Sequence, residues 1–166
     1  MVSRVIISSI NAMIHPLTNK FKDTNQQQIG VLLELCARIP DRAGIDVRSF
    51  LHWVKPAVLH HQYLLLLREG DVLPYGYISW AWVNEATLTR YINDERFILH
   101  PSEWNEGEHF VIMDFCCLGD ASYCLRHLFK KRWELKKKSG LDTVYYRRPL
   151  LKGIITNGCR VKLSRR

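Results

Sequence analysis

The run from Phe110 to Leu118 (FVIMDFCCL) limits what this chain can fold into more than any other stretch. It is apolar at every position but one, so it reads as a strand packed into a sheet. The exception is Asp114. A carboxylate left unpaired in such surroundings costs several kcal/mol, so Asp114 is paired, protonated or lining a cleft. A structural aspartate and a functional one remain equally open on this argument, because buried ionisable groups are enriched at sites but not confined to them. The adjacent Cys116 and Cys117 point to opposite sides of the strand.

The next segment is of opposite character. Gly119 makes a turn, Asp120 can cap a helix from Ala121 to Lys138, and Gly140 can stop it. Leu125, Leu128, Phe129 and Leu135 can pack inward, while Arg126, Lys130 and Lys137 form an outward stripe with Lys131 and Lys138 beside it. Glu134 is the only acid among these bases. Most charge runs are solvated faces, but this density favours docking of something anionic. The whole chain carries a formal net charge of +8. Its bases gather in two blocks, Arg126 to Lys138 and Arg147 to Arg166. Such a field attracts nucleic acid, an anionic membrane or a small acidic protein.

The remaining chain mixes helices and strands. Helical spacing starts near Thr24 (Ile29, Leu32, Leu33, Cys36, Ala37) and Pro40 ends it. Arg42 to Val47 reads as a loop, and Ser49 to Gln62 as a helix broken near Pro56. Tyr63 to Leu67, a turn at Glu69-Gly70-Asp71, and Leu73 to Val83 form a hairpin. On its return strand Tyr77, Ser79 and Ala81 share one face, and Ile78, Trp80 and Trp82 the other. Asn84 caps a helix over Glu85 to Ile92. A polar loop runs from Asp94 to Glu108, and Val144 to Arg147 and Gly158 to Leu163 are further strands. The pattern predicts an α+β (mixed α/β) fold, in a single domain over residues 1–166.

Compartment and partner classes narrow further. No stretch reaches the roughly 18–20 apolar residues of a membrane span. The apolar N-terminal run is broken by Ser8, Ser9 and Asn11 and lacks a clean cleavage site, so it does not read as a signal peptide. The cysteines are Cys36, Cys116, Cys117, Cys124 and Cys159, an odd number, mostly within apolar runs. They read as buried thiols in a reducing compartment, hence cytoplasmic. No CxxC pair occurs, which argues against zinc. A nucleic-acid-binding module suits the charge, but no zinc finger, RNP-type motif or clear helix-turn-helix is present.

Several blocks together resemble a known family. They are Pro56-Ala57 with Gln62-Tyr63 and an aliphatic strand ending in Arg68; Pro74-x-x-Tyr77-x-Ser79-Trp80-Ala81; Tyr91-x-Asn93-Asp94; and Trp104-x-x-Gly107. The most telling is Phe110-x-Ile112-x-Asp114 with Leu118-Gly119-Asp120 and Lys130-Lys131. In order and spacing this resembles the toxin-activating lysine acyltransferases, which fatty-acylate internal lysines of RTX haemolysins and related toxins. The resemblance implies a fold like that of the GCN5-related N-acetyltransferases, a mostly antiparallel sheet flanked by helices. It implies no bound cofactor. The donor would be the phosphopantetheine thioester of an acidic acyl carrier protein, and the acceptor a large secreted toxin, not nucleic acid. Arg126, Lys130, Lys131 and Lys137 would then bind the carrier. Members of the family are expected to form homodimers.

An ammonium cannot attack a thioester, so a base must take its proton. In the family a histidine and an aspartate share that work, and Asp114 falls at the aspartate's position. The histidine does not match: counting from Pro40 and Phe50 puts Arg42 there, with Asp41 beside it. Arginine stays protonated and aspartate is a weak base near neutral pH. Either another histidine serves (His52, His60, His61 and His109 are available), or Asp114 acts alone, or the chemistry is lost and a toxin-binding chaperone remains. His52 is the candidate, because its helical segment leads into Pro56-Ala57; a partly buried helix residue is the plainer reading. His60 and His61 suit a helix end. Trp80 and Trp82 read as core before groove lining, and Ser79 could donate to a thioester oxygen.

Overall fold

The computed structural model describes residues 25–68, 70–119 and 143–148, and the backbone of 151–156 and 159–163. The first helix among the described residues, α1 (Asn25–Ala37), buries Leu32, Leu35 and Cys36. One turn, α2 (Pro40–Ala43), comes next, with Pro40 at its start, where the missing N–H costs nothing. The expected loop over Arg42 to Val47 is present but shorter, at Gly44, Ile45 and Asp46, because this turn and the next helix take its ends. Helix α3 (Val47–Leu59) is capped by Asp46, which accepts from the Ser49 N–H at 3.0 Å.

Helix α3 runs unbroken through Pro56, contrary to the expected break. The proline sits within the last turn, so only one helical donor is lost, and its own carbonyl still accepts from the His60 N–H at 3.0 Å. Burial of Phe50, Val54, Ala57 and Val58 along one face holds the helix together across it. Asn84 caps α4 (Glu85–Asn93), accepting from the Thr87 N–H at 2.9 Å. A 3-10 turn (Pro101–Glu103) interrupts the polar loop before β3.

The strands are β1 (Tyr63–Leu66), β2 (Gly76–Val83), β3 (His109–Cys117), β4 (Thr143–Arg148), β5 (Leu151–Thr156) and β6 (Cys159–Leu163). They form one six-stranded sheet in chain order. Every neighbouring pair is antiparallel except β3 and β4, which run parallel. The class is therefore mixed α/β with a mostly antiparallel sheet. Strand β5 was not anticipated from the sequence. The Ala121 to Lys138 helix, with Arg126, Lys130, Lys131 and Lys137, lies outside the described residues.

The helices α1, α3 and α4 pack on one face of the sheet. There Leu32, Leu35, Phe50 and Val54 meet Tyr77 and Cys116. Ala57, Leu88 and Tyr91 meet Ala81, Val83 and Val111 beside them. Trp80 and Trp82 belong to the opposite face; Trp80 stacks on Phe110 with ring centroids 5.8 Å apart, and Trp82 meets the same ring edge-on at 5.1 Å.

Between Ser79 and Trp80 the β2–β3 register slips: Ser79 pairs with Asp114, but Trp80 pairs with Ile112. Met113 is the extra residue of a β-bulge. Strict alternation from Val111 would send Asp114 outward with Ile112. The bulge resets the alternation, so Val111, Met113, Asp114 and Cys116 all face the helices, while Phe115 and Cys117 pack on the other side.

The loop before β3 is sewn to β2. The Trp82 N–H donates to the Trp104 carbonyl (3.1 Å), and the N–H groups of Glu106 and Gly107 donate back to the Trp82 carbonyl (2.9 and 3.2 Å). The fully buried Gln62 carboxamide lies within hydrogen-bond distance of the Trp80 and Trp104 carbonyls and the Asn105 side chain. At Gly107 a Cβ would stand 2.0 Å from the Val83 carbonyl oxygen, so only glycine fits. Gly107→Ala should therefore lower unfolding stability by about 2 kcal/mol or more. Gly30 is exposed in mid-α1 with open space at its Cβ, so Gly30→Ala should raise stability by about 1 kcal/mol. Urea unfolding of the two variants checks both signs.

Candidate active site

Asp114 is the centre of a partly buried polar cluster. Its Oδ1 accepts from Arg42 Nη2 at 2.6 Å and from the Phe115 N–H at 2.9 Å. Its Oδ2 accepts from the Tyr77 hydroxyl. The ion pair is largely withdrawn from water, with Arg42 24% and Asp114 16% exposed. The cluster joins three distant segments: Arg42 comes from the one-turn helix α2, Tyr77 from β2 and Asp114 from the bulge in β3. Of the states left open for Asp114 on sequence grounds, the paired one is present, and it also lines a cleft.

The electrostatics reflect that arrangement. Burial is the largest single influence and works against the charge on Arg42, but Asp114, Tyr77 and Cys116 together outweigh it and raise the guanidinium's pKa. Burial and the same carboxylate push the Tyr77 hydroxyl strongly upward, so it remains a donor. Behind Tyr77 lies a thiol pair. Cys36 Sγ is 4.0 Å from the Tyr77 hydroxyl. A hydrogen bond with Cys116 draws the Cys36 thiol down to about 7, against its burial, and raises Cys116 correspondingly. Cys36 and Cys116 are both free thiols.

In front of the cluster opens a cleft of about 270 Å³. Arg42, His52, Ser79, Asp114 and Arg147 contribute its polar lining. Trp53, Phe97, Leu99, Trp104 and Met113 contribute apolar walls. The bulge is what allows Met113 and Asp114 both to face this space. His52, from α3, brings a buried Nε2 without a hydrogen-bond partner. Ser79 stands opposite Asp114 in the ladder. Tyr91 reaches across from α4 and donates to the Ile112 carbonyl at 2.6 Å, bracing the strand beside the extra residue.

The structure thus brings His52, Arg42, Ser79 and Asp114 together. His60, at the end of α3, and His61, with a positive φ of 53°, stand outside the cleft. His109 is paired with Glu85 at 2.8 Å. Trp80 and Trp82 face away from the cleft and line none of it. Neither Tyr77, which holds Asp114 by a hydrogen bond, nor Arg147, in the cleft lining, had a role assigned from sequence. Tyr77 was visible only as a member of a matched block, and Arg147 only as one base in a basic stretch. Among the described residues no group of acids, histidines and cysteines could hold a metal ion. Nor is any helix among them long and apolar enough to cross a membrane.

If Arg42 and Asp114 act as one unit, Arg42→Met should cost about 2–3 kcal/mol, slightly less than a fully buried pair because both groups retain some water contact. Asp114→Asn and the double variant complete the cycle. A coupling energy near zero in urea unfolding would show that the pair carries no stability.

Comparison with known proteins agrees with the sequence resemblance. Residues 21–145 match the RTX toxin acyltransferase family. The RTX-II toxin-activating lysine-acyltransferase ApxIIC of Actinobacillus pleuropneumoniae is 32% identical over 101 residues, 60% of this chain and 61% of that protein. The protein-lysine myristoyltransferase RtxC of Kingella kingae is 36% identical over 78 residues, 46% of this chain and 45% of that protein. The leukotoxin-activating lysine-acyltransferase LktC serotype A1 of Mannheimia haemolytica is 40% identical over 62 residues, 37% of this chain and 35% of that protein. The matched stretch is therefore less than two thirds of each relative's length. With the family match covering well over half of its residues, the chain belongs to the RTX toxin acyltransferase family.

Proposed function

We propose that this protein transfers a fatty acyl group from the thioester of an acyl carrier protein to the ε-amine of an internal lysine of a large secreted toxin. The observation that carries the reading is the meeting of Asp114, at the position of the family's aspartate, with the unpartnered imidazole of His52 in one cleft. The names of the relatives support lysine as acceptor and toxin activation as outcome. The mostly antiparallel sheet flanked by helices is compatible with a fold like that of the GCN5-related N-acetyltransferases. The setting we propose is the cytoplasm, where the toxin is modified before it leaves the cell. The protein needs no bound cofactor and can act as a homodimer.

In this mechanism the acceptor lysine enters as an ammonium, attracted by the Asp114 carboxylate. His52 Nε2 takes a proton, and the neutral amine attacks the thioester carbonyl carbon. A C–N bond forms and the C–S bond breaks. The departing thiolate takes the second amine proton, leaving an amide and the free carrier thiol. Asp114 is already bound on both oxygens, so its part is to hold the ammonium and the cluster in place. Arg42, where the family has histidine, pairs with that carboxylate and orients it. The apolar walls of the cleft suit an acyl chain.

The expected outcome for His52→Ala and Asp114→Ala is loss of toxin acylation by about a hundredfold or more, the usual contribution of a positioned proton acceptor. Mass spectrometry of the cognate toxin incubated with acyl carrier thioester reads this directly. A wild-type protein that binds the toxin but leaves it unmodified would establish a non-catalytic chaperone instead. We also expect the bases Arg126, Lys130, Lys131 and Lys137 to meet the acidic carrier. Reversing Arg126, Lys130 and Lys131 to Glu should raise the carrier concentration needed for half-maximal acylation, with the melting temperature unchanged. Unaltered turnover at limiting carrier would put the dock elsewhere.

A further inference from the structure

The cleft contains two guanidinium groups, and only one of them has a carboxylate partner among the described residues. Arg42 is paired with Asp114. Arg147 donates from Nη2 to the Glu95 carbonyl at 3.1 Å. Its guanidinium carbon lies 5.7 Å from the Tyr91 ring centre and 6.0 Å from that of Phe97. These contacts fix the side chain in place without cancelling its charge.

Strand geometry explains why Arg147 is there. On β4, Val144 and Tyr146 pack with Phe110 and Ile112 on the face away from the helices. Tyr145 packs with the helix-side core. Alternation puts Arg147 on the same side as Tyr145, into the cleft. The parallel β3–β4 register pairs Val111 with Tyr145 and Ile112 with Tyr146. Asp114 and Arg147 therefore stand on neighbouring strands just past Ile112 and Tyr146, one anionic and one cationic, and Asp114 takes its counter-ion from Arg42 instead.

Acyl transfer from a thioester to an amine develops charge in two places. The amine sheds a proton, and the carbonyl oxygen gains negative charge as the tetrahedral intermediate forms. Asp114 and His52 can serve only the first. For the second, the Arg42 charge is already matched, the Tyr91 hydroxyl is committed to the Ile112 carbonyl, and Ser79 and Trp104 in the lining offer only neutral donors. A guanidinium offers five N–H donors, of which the Glu95 carbonyl takes one. We propose that Arg147 is the catalytic residue that receives the negative charge on the acyl carbonyl oxygen. This rests on the acyl-transfer reading above. It divides the cleft into a proton-accepting side on α3 and β3 and an oxyanion-binding side on β4.

The test uses the full chain, acyl carrier thioester and cognate toxin. In Arg147→Ala, kcat should fall by about a hundredfold with KM for carrier and toxin unchanged, the cost of losing one oxyanion donor. Arg147→Lys should recover only part of this, because an ammonium cannot offer the planar fork. Added methylguanidinium should restore activity to Arg147→Ala, which a merely structural role would not allow. Thermal unfolding and toxin binding of Arg147→Lys guard against misfolding. Wild-type kcat in Arg147→Ala would overturn the proposal while leaving acyl transfer intact. So would a raised KM for toxin at unchanged kcat, which would make Arg147 a reader of acidic groups on the acceptor. A wild-type protein without transfer would overturn both readings.

Discussion

The structure turns on a carboxylate placed where an apolar strand would otherwise be uniform. Asp114 sits in the sheet's helix-packed face, where an unpaired charge costs several kcal/mol. Arg42 meets that cost through an ion pair at 2.6 Å, and Tyr77 and the Phe115 N–H supply the remaining hydrogen bonds. The partners come from different parts of the chain, so the charge can be satisfied only when α2, β2 and β3 have assembled. A buried ion pair is seldom the most stable use of such a position. Its retention here, at the mouth of a cleft that also holds His52 and Arg147, is explained by chemistry better than by stability.

Arg42 changes the meaning of the missing histidine. A positively charged side chain there cannot accept a proton, yet it does not leave the site without its second component. It holds Asp114 as a fixed, paired anchor, and in the mechanism we propose the proton-accepting work falls to a residue one helix further on. His52 is suited to that by location, since α3 leans directly over the cleft and its Nε2 is unpartnered.

Much of this was legible in the sequence. The strand around Asp114, the hairpin before it and the Asn84 cap all lie close to where pattern and turn chemistry put them, because these depend on neighbours along the chain. The carboxylate's need for a partner was also legible, but not the partner's identity, since Arg42 is 72 positions away in sequence. The bulge at Met113 left no mark at all: FVIMDF alternates equally well with or without an extra residue, and only pairing with β2 reveals the slip. Pro56 misled because its local penalty was outweighed by the core packing of α3. Arg147 looked like any other base until the alternation of β4 turned it inward.

The central claim is that one cleft joins the proton-accepting and the acyl-binding halves of the reaction. A crystal structure with a non-hydrolysable ketone analogue of the acyl phosphopantetheine thioester, CH2 replacing the sulfur, tests it most directly. The account predicts the analogue's carbonyl group inside the cleft, between Asp114 and His52 on one side and Arg147 on the other, with the acyl chain against Trp53, Phe97 and Leu99. An analogue bound elsewhere on the protein, with the cleft free of it, would contradict the account.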